Sequence, residues 1–225
     1  MSNRADRQSS RELLRDARYH RAAVRSNSKT IGLVAAIVAI VARLAKAVLN
    51  TEVREDERID LLAALELTDY ELDERVRRVE LAVLALANKN RNSASYRAVF
   101  PKGLEAITKL RGEAEALAVG NMLTALRQHF PKLAEEHGAE LDRLTKATVA
   151  AEHAWKQAEA AVDAAFADEK TARMELIEHL DKNAGKLLDM FPGEKAHVRR
   201  FFRPRHRKDA KRDASKTPAT ATSAA

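Results

Sequence analysis

Apolar residues recur along most of this chain at steps of three and four, the spacing of one face of an α-helix. The first such stretch predicts a helix over residues 10–25. Leu13, Ala17, His20 and Val24 lie on one side, and Asp6, Ser9 or Ser10 is placed to cap its start, with Glu12 in the first turn. After Ser26-Asn27-Ser28, residues 31–42 are wholly apolar, and Arg43 and Lys46 interrupt the pattern before Ala47-Val48-Leu49. From Asn50 or Thr51 an amphipathic helix opens with early acids, as the helix dipole prefers, and points Ile59, Leu62 and Leu65 inward. Thr68-Asp69-Tyr70-Glu71 reads as the capping box of a separate helix carrying Leu72, Val76, Val79, Val83 and Leu86. Asn88 to Ser95 reads as a loop.

Three Phe-Pro pairs follow: Phe100-Pro101, Phe130-Pro131 and Phe191-Pro192. Proline suits the first turn of a helix and disfavours helical geometry in the residue before it, so each pair predicts a helix boundary. The first opens a helix over about 102–128, where Gly112 and Gly120 permit a bend or a close approach. The second opens a very long helix, about 133–190. Its stripe runs through Leu141, Leu144, Thr148, Ala151, Trp155, Ala158, Val162, Ala165, Phe166, Met174, Leu176, Leu180 and Leu187. Ten of the 21 residues from Ala147 to Ala167 are alanine, which lets a partner helix approach closely. Leu62, Leu72, Val76, Val79, Leu144, Trp155, Val162, Leu176 and Leu180 are the expected core.

The expected fold is all-α: an elongated helical bundle with one very long alanine-rich helix, a basic N-terminal helix and a disordered basic C-terminal tail. The expected segments are 1–29 (basic, amphipathic), 30–50 (apolar helix), 51–203 (bundle) and 204–225 (tail), the last lacking any bulky apolar side chain. Composition agrees: only 7 Gly and 5 Pro in 225 residues leave too few turn residues for a many-stranded protein. Cysteine is absent, which excludes disulfides, thiolate metal sites and a thiol nucleophile while leaving the redox compartment open.

Charge changes the picture most. The net +7 is carried by the ends. Residues 1–29 hold eight Lys/Arg against three acids, and residues 195–225 hold ten against two, so 30–194 is net negative. Arg4, Arg7, Arg11, Arg15, Arg18, Arg21 and Arg25, with Lys29, fall within about 120° of one helix face. That face reads either as a solvated cationic surface or as an anion-binding one; a transit peptide fits less well beside three acids. At the other end Lys195, Arg199, Arg200, Phe201, Phe202, Arg203, Arg205, Arg207 and Lys208 combine cations, which neutralise phosphates, with rings able to stack on bases. The same two rings read equally well as residues that close the end of the bundle.

Catalytic signals are sparse. The seven histidines form no His-Glu-x-x-His helix; Glu175 and His179 form a lone i, i+4 pair, read as a surface contact. No Gly-rich phosphate loop or nucleophile elbow occurs. The expectation is a non-catalytic scaffold or oligomerisation protein, with no cofactor, metal or catalytic residue and a cytoplasmic location. Its basic termini hold a polyanion (nucleic acid) or an acidic protein, and its partners include a second copy or another helical protein. The alternative is a membrane-associated protein that inserts 31–49 and sets its cationic ends on anionic lipid. Twelve apolar residues rise only ~18 Å as a helix, against a hydrocarbon core of ~30 Å, so burial of Ile31–Ala42 inside the protein is expected.

Overall fold

The computed structural model describes residues 9–204. Those residues form α1 (Ser10–Arg25), a single 3-10 turn (Ile31–Leu33), α2 (Val34–Leu86), α3 (Ala94–Val99), α4 (Glu105–Thr108), α5 (Gly112–His129), α6 (Pro131–Met190) and α7 (Lys195–Arg199), and no strand. The fold is all-α. Residues 205–225, which hold most of the expected tail, lie outside the described residues, as do Arg4 and Arg7.

Local chemistry explains most helix ends. Ser9 caps α1 by accepting a hydrogen bond from the Glu12 amide at 3.2 Å. Ser93 does the same for α3 through the Tyr96 amide. The three Phe-Pro pairs all sit at helix boundaries: α3 stops before Phe100, Pro131 is the first residue of α6, and α6 stops before Phe191.

Two expected boundaries are absent. α2 runs without a break through both Asn50-Thr51 and Thr68–Glu71. No Gly or Pro occurs between residues 34 and 86 to stop it. The two threonines serve mid-helix instead. Thr51 donates to the Ala165 carbonyl at 3.4 Å, and Thr68 donates one turn back to Leu65 at 2.9 Å. Conversely, the helix expected over 102–128 is broken between α4 and α5. Gly112 begins α5 with φ +56°, and a Cβ there would collide with the Glu152 carboxylate. That carboxylate, on α6, accepts from the Glu113 amide at 2.8 Å and so caps α5 from a distant part of the chain.

The chain divides into two compact units: Met1–Asn50 with Phe166–Ala225 (unit 1), and Thr51–Ala165 (unit 2). The segment 51–203, expected as a bundle, contributes residues to both units. Residues 172–202 pack with α1 and the start of α2, because their apolar stripe has its partners there. The core of unit 1 joins Leu13, Ala17 and Val24 to Ile37, Val41 and Leu44, and to Leu176, Leu187, Phe191 and Phe201. The core of unit 2 joins Leu72, Val76, Val79 and Val83 to Tyr96, Phe100, Met122, Leu126, Leu141 and Leu144.

Within unit 2, α2 and α6 run antiparallel. The Thr51 hydroxyl meets Ala165, and the Thr148 hydroxyl meets the Thr68 carbonyl at 3.4 Å. Ala151, Ala158 and Ala165 recur every seven residues between these points, the small-residue seam read from the sequence. From 52 to 68 on α2 and from 149 to 161 on α6 no residue is fully buried. Leu62 and Trp155, expected in the core, are half-buried, and Ile59 is exposed. A pair of helices has one shared seam and no third wall, so its seam residues keep one flank in water.

Candidate polyanion-binding surface

Positive charge is concentrated in unit 1. Its described residues, 9–50 and 166–204, carry 16 Lys/Arg against 9 Asp/Glu, whereas unit 2 carries 16 against 21. On α1, Arg11, Arg15, Arg18 and Arg25 are exposed and Arg21 is half-buried, opposite the buried Leu13, Leu14, Ala17, His20 and Val24. Past α6, Lys195, Arg199 and Arg200 are exposed and Arg203 is half-buried. Arg205, Arg207 and Lys208 lie outside the described residues.

These two basic segments meet. His20 stands buried at the junction. Its Nδ1 lies 3.0 Å from the Phe201 carbonyl, which can only accept, so Nδ1 carries the hydrogen. Nε2 then accepts from the Asn183 side chain of α6 at 3.3 Å. Burial holds the His20 pKa below its ordinary value, consistent with this neutral tautomer. Around it, Tyr19 donates to the Arg200 carbonyl at 3.4 Å and Arg203 pairs with Asp16 at 3.1 Å. These contacts hold α1 against residues 200–203. Arg18, Arg21, Arg25, Lys195, Arg199 and Arg200 enter no ion pair among the described residues, so their charge stays available.

The two phenylalanines have different positions. Phe201 is buried, 5.8 Å from the Phe191 ring and edge-on to His197 at 5.3 Å. It closes the end of the unit, and the sequence-based reading of it as a stacking ring is corrected accordingly. Phe202 is half-buried and stacked on His20, with centroids 4.5 Å apart and planes 15° from parallel. It lines a groove of about 720 Å³ with Asp181 and Leu188 of α6, Lys195 and Arg199 of α7, and Arg203.

The apolar segment differs from expectation. Leu33, Ile37 and Val41 are buried, but Ile31, Ala35, Val38, Ala39 and Ala42 face outward, because the rest of unit 1 packs against one side of this helix only. The 56-residue stretch Ile31–Leu86 contains an 18-residue window of mean hydropathy 2.2, of which 22% is buried, and is long and apolar enough to cross a membrane.

Among the described residues, no group of three or more His, Asp or Glu is placed to hold a metal ion. Glu175, half of the lone Glu/His pair, binds Arg43 at 2.6 Å. A polar feature that the sequence did not signal sits in unit 2. Glu115 of α5 is fully buried beside Asp73 of α2, neither of its oxygens has a hydrogen-bond partner among the described residues, and burial together with the Asp73 charge pushes its pKa up to about 8. Buried Glu80, by contrast, is satisfied by the Tyr96 hydroxyl at 2.8 Å and Arg91 at 3.2 Å.

No family model, no curated protein and no solved structure matches this chain.

Proposed function

We propose that this is a non-catalytic helical protein whose unit 1 holds a polyanion, nucleic acid first, on the cationic surface formed by α1 and residues 195–203. One observation carries the reading: His20, Asp16 and Tyr19 fasten the two basic segments to each other, while unit 2 is net negative. Clustered cations release condensed counterions when they meet phosphates, and an acidic second unit limits where a polyanion can lie. Fluorescence anisotropy with random duplex DNA from roughly 50 to 300 mM salt tests it. If about six cations engage phosphates, log K falls against log salt with a slope of about −5. Replacing Arg15, Arg18 and Arg25 with Gln should flatten that slope, and replacing Lys195, Arg199 and Arg200 should do so by a similar amount. No binding at the low-salt end overturns the reading.

A second reading, association with an anionic membrane, draws on the outward Ile31, Val38 and Leu49 beside exposed Lys46. A helix with an apolar face next to cations lodges at a lipid surface. Its mark is co-sedimentation with anionic vesicles that survives high salt and is lost in Val38→Asp. Release by salt in the parent protein rejects it.

A further inference from the structure

We propose that the groove between α7 and the end of α6 is a single-stranded nucleic-acid site, in which one base stacks on Phe202 and the flanking phosphates lie along Lys195 and Arg199. The inference rests on the polyanion reading and narrows it to one ligand class and one ring.

Three features of the groove point this way. First, Phe202 is held rather than loose. One side of its ring lies on His20 at 4.5 Å, and His20 is itself fixed by the Phe201 carbonyl and Asn183. Phe202 also lines the groove, so a base that stacks on it meets a ring already ordered. Second, three cations line the groove: Lys195, Arg199 and Arg203. Arg203 is committed to Asp16 at 3.1 Å, which leaves Lys195 and Arg199, both exposed, to meet phosphate. Third, the opposite wall is different in kind. Leu188 is apolar, and Asp181 is acidic. A nucleotide is thereby oriented with its backbone toward α7 and its base toward Phe202 and α6.

The size and chemistry select among polyanions. About 720 Å³ is enough for a nucleotide or two. A purely ionic polymer such as polyphosphate gains nothing from Phe202 or Leu188. Stacking on a ring tolerates any base, so little sequence preference is expected.

The test compares four probes with the full-length protein at low salt: labelled oligo-dT, labelled duplex DNA, inorganic polyphosphate as a competitor, and anionic phosphatidylserine vesicles. Phe202→Leu keeps apolar bulk on His20 and removes the aromatic face. It should weaken oligo-dT binding by about tenfold or more, in line with the loss of one stacked base. Duplex and polyphosphate binding should stay within about twofold of the parent. Phe202→Trp keeps the stacking face and should retain oligo-dT binding, which separates stacking from a damaged fold. The proposal is overturned if Phe202→Leu leaves oligo-dT binding unchanged, or weakens polyphosphate to the same degree. It is also overturned if the variant loses only vesicle binding, since the groove would then hold lipid. Failure of the parent protein to bind oligo-dT, duplex and polyphosphate alike overturns the broader polyanion reading instead.

Discussion

Glu115→Gln is expected to stabilise unit 2 at pH 8 and above by about 3–5 kcal/mol, and to remove the fall in its stability toward base. The reason is the position of this carboxyl. It is fully buried on α5 against Asp73 of α2, and its pKa rises from 4.5 to about 8 through burial first and the neighbouring carboxylate second. Asp73 is also pushed up by burial, although Arg77 beside it favours its charged form. At neutral pH Glu115 keeps its proton. The folded state thus binds a proton that the unfolded chain has released, so the contribution is complete below pH 4.5 and is lost as pH rises through about 8. A neutral amide of the same shape has no such dependence. Amide hydrogen exchange of α5, corrected for intrinsic rates and followed from pH 5 to 8.5, reads the effect directly. A parent α5 whose protection does not fall over that range would remove the basis for the prediction.

The same experiment contains its own contrast. In unit 1 burial depresses the pKa of His20 below 6.5, so its contribution is present above 6.5 and is lost as pH falls. His179 is shifted in the same direction by burial and by Lys186 and Lys182. Protection in α1 should therefore fall toward acid while protection in α5 falls toward base.

What was legible in the sequence was local. A Phe-Pro pair constrains its own two residues, and Ser9 caps the turn that follows it, so these helix ends could be read directly. The alternation of arginines and apolar residues on α1 likewise reported which side would face water. Misreadings arose where the deciding contact is distant. Thr68 has the neighbours of a cap, but nothing nearby breaks the helix, and its hydroxyl turns back to Leu65. Gly112 could be named as a bend, whereas the Glu152 carboxylate that caps the neighbouring Glu113 amide lies 39 residues from that amide. Trp155 sits on an apolar stripe, yet a stripe does not say whether two helices or three will meet it. Glu115 lies in an acidic first turn, beside Glu113, and resembles a solvated residue until α2 covers it. The two basic segments are individually plain in the sequence. Their union depends on a histidine and a carbonyl 181 residues apart.

Phe201→Ala is expected to cost unit 1 about 3–5 kcal/mol, the usual range for deleting a buried aromatic ring. The ring is 5% exposed and packs on Phe191 and His197, so its removal leaves a cavity at the closed end of the unit. The backbone carbonyl that orients His20 belongs to the same residue, and looser packing there releases the hydrogen bond that ties α1 to the C-terminal segment. Loss of that tie has a consequence for charge as well as for stability. The cations of α1 and those of 195–203 would no longer be held together, and the salt slope of polyanion binding should shrink toward that of α1 alone. Urea melts followed by circular dichroism give the stability change, and anisotropy titrations of the same variant give the slope. A stability change below about 1 kcal/mol would show that the ring does not fill a core. In that outcome Phe201 returns to the surface, where it would compete with Phe202 as the stacking ring, and the double variant would be needed to abolish single-strand binding.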